Sequence, residues 1–354
     1  MLSVKEKLES LGYKLSDCGD NWRTSALYRK GSNPTSLLIY KDTGVWTDYG
    51  GDNQAHPFEE LVKLSGGEVG DFTVKKLEVT EEEESDEVER IFPDEMLSRL
   101  MPHYNIYTNK GISINILKRL KSGLAMQGKM FQRYVFPILN SEGKIIGFSG
   151  RDVGIGGNRP KWKHIGKKRN WIYPLYFKDE LSEQFVLNAI RRTKEILIVE
   201  SIGDVLAFHA RGIFNVLCSF GLKMSDALKT KLVEIDPNNV YLCYNNDFTK
   251  PFNSGLNAAA SDFLSLLPYF DCKSVFICLP LRNDFGDMND EDFMDWQEKR
   301  LLLDADEQCR FLSERVRKIP KGLNSTDDFF AKEENKGYLW VSSASYKNIE
   351  YLRC

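Results

Sequence analysis

Acidic and amide side chains at the ends of apolar runs are the residues best suited to chemistry in this sequence. ILIVESIGDVLAF carries Glu200 and, four residues on, Asp204. NVYLCYNNDFTK halts in Asn245, Asn246 and Asp247, and CLPLRNDFGDMND places Asp284 and Asp287 after a third run. Oxygen donors from three separate segments make the hard setting that magnesium or manganese prefers. Each piece also has a plainer reading. Asn and Asp end strands in turns because they satisfy their own backbone, and an acid after a strand often caps the next helix. Gathering several acids at one edge is costly unless a cation offsets them, which favours the metal reading of the set.

These side chains need elements to position them. EILIV, NVLCSF, NVYLCY and SVFICL read as buried strands, and the segments at 202–211, 224–234 and 254–268 have helical periodicity. Continuous apolar strands alternating with helices predict a parallel sheet covered on both faces, with its ligand at the carboxyl ends of the strands. A helix beginning near Ile202 would set Asp204 in its first turn, leaning toward the edge that carries Glu200. Upstream, two β-type runs in QRYVFPILNSEGKIIGFSGRD (132–152) flank Asn140-Ser141-Glu142-Gly143, a hairpin turn. Arg159, Lys161, Trp162, Lys163, Lys167, Lys168, Arg169 and Trp171 follow. That mixture suits a groove that grips phosphates and offers stacking faces to bases, although aromatics at such spacing also build cores.

Near the N-terminus, LLIYKDTGVWTDYGG (37–51) predicts a hairpin closed at Gly44, and HPFEELVKLSGG (56–67) a short helix with Gly66 past its end. The acidic stretch KKLEVTEEEESDEVER (75–90) reads as a linker. Residues 298–319 read as helical, and GYLWVSSASY as a possible strand. The expected division is a β-rich domain at 1–70, a linker at 71–90, a basic subdomain at 91–190, a metal-binding subdomain at 191–297 and an extension at 298–354.

At 354 residues, 42% hydrophobic and 28% charged, the chain has room for several cores and the composition of a soluble protein. No apolar stretch approaches the roughly 20 residues of a membrane helix, and no leader pattern opens the chain, so a cytoplasmic location is expected. Seven cysteines with no CxxC pair favour buried free thiols over zinc ligands or disulfides. The net charge of −3 hides a segregation: residues 71–100 hold eleven acidic and four basic residues, whereas 118–169 hold thirteen Lys or Arg against Glu142 and Asp152. A block this one-sided points to a polyanion partner.

VESIGDVLAFHARGIFNVLCSFG, then YNND, then NDFGD resembles the Toprim domain: a glutamate with an aspartate four residues on, a DxD, and a third acidic loop. RYVFPILNSEGKIIGFSGRDVG, PKW and KKRNWIYPLYF resemble the catalytic core of DnaG-type bacterial and phage primases, so the likeness covers roughly residues 91–295. It implies an α/β, multi-domain α+β chain: a Toprim-type parallel sheet with flanking helices, preceded by a mixed basic subdomain and a small β-rich domain. It implies synthesis of short RNA primers on single-stranded DNA from ribonucleoside triphosphates, with Mg²⁺ or Mn²⁺. A replicative helicase and a single-stranded DNA-binding protein are the further partners implied, in the host cytoplasm if the protein is phage-encoded.

By the same resemblance, Glu200, Asp204, Asp247 and Lys168 are the expected catalytic residues, and Glu200, Asn245, Asp247, Asp284 and Asp287 the expected metal ligands. Arg133, Arg151, Lys161, Trp162 and Lys163 would hold triphosphate or template. Asn245 takes the first position of the DxD, so one charged ligand is replaced by an amide. The N-terminal domain resembles the primase zinc ribbon without its ligands, Ala26-Leu27-Tyr28-Arg29 and Trp46-Thr47-Asp48-Tyr49 standing at the metal-binding knuckles. Cys18 and His56 cannot make a four-ligand site. No zinc is expected, and packing by Trp22, Tyr28, Tyr40, Trp46 and Tyr49 is expected in its place. Two rivals stand beside the primase reading: a Toprim nuclease, and a weakened module that binds DNA and docks a helicase.

Overall fold

The structure is a computed structural model that describes residues 3–18, 21–41, 44–51, 55–68, 89–154, 159–249, 252–320 and 332–353. Residues 71–88, most of the acidic stretch, lie outside them. The chain divides into two compact units. One is Met1–Val88 with Gly154–Lys161 and Gly322–Asp328; the other is Glu89–Val153, Trp162–Lys321 and Phe329–Cys354. No helix among the described residues is long and apolar enough to cross a membrane.

The first unit opens with α1 (Val4–Ser10), started by a capping box between Ser3 and Glu6. An antiparallel sheet follows in simple order, β1 (Ser16–Asp17), β2 (Asn21–Thr24), β3 (Leu37–Tyr40), β4 (Trp46–Asp48) and β5 (Ala55–His56), and then α2 (Phe58–Leu64). The alternation in β2 and β4 turns Trp22 and Trp46 onto a core with Leu8, Leu37, Ile39, Phe58 and Leu61. Gly44, at φ +69°, closes the β3–β4 turn, and a Cβ there would lie 2.9 Å from the Phe58 side chain.

The expectation that five aromatics hold this unit needs correction. Tyr40 and Tyr49 are 44% and 54% exposed. The two knuckle segments are joined by an ion pair: Arg29 clasps Asp48 through Nε at 2.6 Å and Nη2 at 2.9 Å, and the Tyr28 hydroxyl donates to the same carboxylate at 2.7 Å. Burial alone would raise the Asp48 carboxyl. The hydrogen bonds from Arg29, Tyr28 and the Gly50 amide, with the Arg29 charge, hold it below its ordinary value.

The second unit contains a five-stranded antiparallel sheet in the order β10-β9-β8-β7-β6. Its elements are β6 (Leu100–Met101), α3 (Asn105–Thr108), α4 (Ile114–Arg119), β7 (Gly123–Ala125), β8 (Arg133–Leu139), β9 (Ile145–Asp152) and β10 (Trp162–Ile165). The hairpin joins β8 to β9, its turn held by Asn140 Oδ1 accepting from the Glu142 and Lys144 amides and closed at Gly143, φ +78°. Then α5 (Phe185–Thr193), β11 (Glu195–Val199), α6 (Ile202–Ala210), β12 (Val216–Cys218), α7 (Asp226–Ile235), β13 (Asn239–Cys243), α8 (Ser254–Leu266) and β14 (Val275–Ile277) build a parallel sheet in the order β12-β11-β13-β14. Its strands are apolar along their length because helices pack against it, and their side chains belong to one core continuous with that of the antiparallel sheet.

The extension, expected to be helical over 298–319, is so only in part. It forms α9 (Asp290–Leu301), α10 (Ala305–Arg315) and β15 (Val316–Lys318). The break comes at Asp304, whose carboxylate accepts from the Asp306 and Glu307 amides and so starts a new helix. The tail gives β16 (Leu339–Val341), parallel to β15, and a short helix α11 (Ser343–Tyr346).

Candidate metal and nucleotide site

β11 and β13 lie side by side and parallel, with Val199 opposite Cys243. The chain leaves β11 through α6 for β12 on one side, and leaves β13 through α8 for β14 on the other. The winding therefore reverses between them, and the carboxyl ends of these strands flank the crevice where open α/β sheets bind ligands. Glu200 is the first residue after β11; Asn245 and Asp247 follow β13 by two and four residues.

Glu200 is half-buried, and its backbone carbonyl accepts the Gly221 amide at 3.2 Å and the Cys218 thiol at 3.6 Å. Burial, then the Asp204 and Glu200 charges, pushes up the Cys218 thiol; burial, then Asp262 and last Glu200, pushes up the Tyr244 phenol. Tyr244 is buried, its hydroxyl donating to Asp262 at 2.5 Å.

The Asn245–Asp247 turn is held by amides. Asn246 donates from its backbone to the Asn283 carbonyl at 2.8 Å and from its side chain to the Pro280 carbonyl at 3.0 Å. Asp247 is 7% exposed. Its backbone amide donates to Asn253 Oδ1 at 3.1 Å, and its carboxylate accepts the Ser254 hydroxyl. Asn245 Oδ1 is buried with no hydrogen-bond partner among the described residues. A buried amide oxygen left unpaired is costly, and a cation is one partner it can take.

Two of the other predicted acids, Asp204 and Asp284, serve the backbone. Asp204 is 2% exposed, and its oxygens accept from Ser201 N at 3.1 Å, Ser201 Oγ at 2.7 Å and Phe285 N at 3.2 Å. Burial, reinforced by Asp284 against the Ser201 and Phe285 hydrogen bonds, pushes its pKa up to about 6. It caps α6 and ties the 284–287 loop to it. Asp284 caps a 3₁₀ turn by accepting the Asp287 amide at 3.0 Å, and Asp287 itself is exposed. Three strands thus do not deliver a ring of equivalent carboxylates. Among the described residues no group of three His, Cys, Asp or Glu side chains is arranged to hold a metal. Glu200, Asp247 and the Asn245 amide carry oxygen donors of the kind hard cations take; such ions are usually bound through one or two carboxylates and completed by phosphates and water.

The basic residues divide by environment. Lys168 Nζ lies 3.4 Å from the Phe220 carbonyl, where burial lowers its pKa. The next residue, Gly221, donates to the Glu200 backbone carbonyl, so one loop contacts both Lys168 and the backbone of Glu200. His164 on β10 is pushed down to about 4 by burial and then by the neighbouring Lys168 and Arg133 charges. Arg151 lies over the Trp162 ring at 5.6 Å, and Lys163 is exposed. Arg133 is buried, donating to the Gly150 carbonyl at 3.1 Å, so its guanidinium is not presented to solvent. Lys161 belongs to the first unit. Sequence reasoning missed Asn253, Ser254 and Gly255; Asn-Ser at the start of a helical pattern was the available signal.

No family model matches the chain. A DNA primase of Borreliella burgdorferi is 30% identical over 193 residues, 52% of this chain and 32% of that protein. A DNA primase of Halalkalibacterium halodurans is 27% identical over 158 residues, 41% of this chain and 25% of that protein. The chain resembles bacterial DNA primases. It spans about a third or less of the length of the curated primases it matches. Among solved structures, a DnaG primase catalytic domain bound to single-stranded DNA overlaps 58% of this chain and 76% of its own, at 21% identity and TM-score 0.46. The Aquifex aeolicus primase zinc-binding and RNA polymerase domains overlap 85% of each chain at 16% identity and TM-score 0.44.

Proposed function

We propose that this protein synthesises RNA primers on single-stranded DNA. The observation that carries this reading is the placement of Glu200 and Asn245–Asp247 on either side of the β11–β13 switch, with one loop contacting both Lys168 and the backbone of Glu200. Glu200, Asn245 and Asp247 would hold Mg²⁺ or Mn²⁺, which when bound supplies charge neutralisation at the transferring phosphate. The protein's own part is positioning. The Ser254 hydroxyl and Asn253 amide orient Asp247, Asp204 fixes the first turn of α6 beside Glu200, and the Lys168 ammonium offers a cation to the triphosphate. Arg151, Trp162 and Lys163 would supply charge and a stacking face to the template, and the first unit would bind template without zinc. A replicative helicase and a single-stranded DNA-binding protein are the partners this activity would work with.

Incubation with labelled single-stranded DNA, ribonucleoside triphosphates and Mg²⁺ tests the reading. New oligoribonucleotides on the template are expected. Shortened DNA would replace it with a nuclease, and DNA binding with no product would replace it with a binding module.

A further inference from the structure

Helix α8 has two attachments that its sequence does not announce. At its N-terminus it grips the Asn245–Asp247 turn. Asn253 Nδ2 donates to Asn246 Oδ1 at 2.8 Å, Ser254 donates to Asp247, and a Cβ on Gly255 would fall 1.7 Å from the Asn245 carbonyl oxygen. Along its length it carries the C-terminal segment: Ser261 Oγ meets Ser345 Oγ at 2.8 Å, and Asn348 Nδ2 donates to the Leu264 carbonyl at 3.0 Å.

Asn257 joins the two. It is 7% exposed in a helix interior, where asparagine has poor propensity and a buried amide is tolerated only if both ends are bonded. Its Oδ1 accepts the backbone amide of Trp340 in β16 at 2.6 Å, and its Nδ2 donates to the Asn253 carbonyl at 2.9 Å. A run of hydrogen bonds therefore connects β16, Asn257, Asn253 and the backbone amide of Asp247.

We propose that the C-terminal segment at residues 339–353 forms part of the support of the catalytic turn, and that Asn257 is the positioning residue through which it acts. This rests on the primer-synthesis reading of that turn. Ordering of the turn by Asn253 requires the first turn of α8 to stay in place, and Asn257 fastens that turn to a strand more than eighty residues away in sequence. Since Ser261 and Asn348 hold the same segment farther along α8, replacing Asn257 loosens the turn without releasing the tail.

Hydrogen exchange of the Asn246 and Asp247 amides in the full chain tests this, alongside the Mg²⁺ concentration for half-maximal primer synthesis. In Asn257→Ala, exchange should quicken by about five- to tenfold, the equivalent of one net hydrogen bond, and the Mg²⁺ requirement should rise by about tenfold. Asn257→Asp keeps the acceptor for Trp340 but loses the donor to Asn253, so it should move both readouts the same way; it also supplies the answer if Asn257→Ala fails to fold. Ser261→Ala, which touches the tail away from the turn, should leave both unchanged. Unchanged exchange in both Asn257 variants, or an equal change in Ser261→Ala, overturns the proposal. Wild-type protein that makes no primers, with faster exchange in Asn257→Ala, removes the functional reading and leaves the coupling; primer synthesis with unaltered exchange in the variants does the reverse.

Discussion

Asn245 stands at a position where an aspartate would add a second charge to the turn, and its buried side-chain oxygen has no partner among the described residues. Ligand charge count sets affinity for hard cations. Asn245→Asp should therefore lower the Mg²⁺ concentration needed for half-maximal activity by about three- to tenfold; an unchanged requirement with an intact fold would place residue 245 away from the ion. In the first unit the decisive residue is Asp48, 1% exposed and clasped by Arg29. Removing one member of a buried pair strands the other, so Asp48→Ala should cost about 3–5 kcal/mol, read as loss of exchange protection across residues 21–48 in a urea titration. The pH dependence has a definite sign. The folded carboxyl lies below its ordinary value of 3.8. Its stabilisation is thus complete above that value and is lost as pH falls through the depressed one. Acid should weaken this unit in the wild type and leave Asp48→Ala less affected.

At the level of elements, the α8 N-terminus allows no side chain at Gly255. A Cβ 1.7 Å from a carbonyl oxygen forces the helix or the turn to move, and Gly255→Ala should cost about 1–3 kcal/mol and abolish primer synthesis together, seen by melting and product assay. Joining the knuckles by Arg29–Asp48 predicts that chelation leaves the melting of the first unit unchanged; a fall in its melting temperature on adding a chelator would contradict that. The four strands of the parallel sheet and the β8–β9 hairpin were legible because their apolar runs are continuous and their turns carry Asn140 and Gly143 or end in Glu200 and Asn245; β6, β7 and β10 were not. The roles of Asp204 and Asp284 were legible only as alternatives, since an acid at the first turn of a helix serves the backbone or a metal by the same geometry. What stayed hidden was tertiary. Nothing local marks Tyr40 and Tyr49 as outward-facing or Trp340 as the partner of Asn257.

Across the whole molecule, charge is the property that sequence reads most directly, and the thirteen cations of residues 118–169 set an expectation for DNA binding. Affinity for single-stranded DNA should fall linearly on a log–log plot against salt. Lys163→Ala should lower that slope by about 0.7 and weaken all template sequences alike; an unchanged slope would remove Lys163 from the contact. On the function proposed here, Glu200 and Asp247, delivered by neighbouring parallel strands, work at one metal centre. Glu200→Gln tests it most directly, with primer synthesis and DNA affinity measured on the same preparation. A fall in synthesis of about a hundredfold or more, with DNA affinity unchanged, is the predicted result; primer synthesis at the wild-type rate would contradict it.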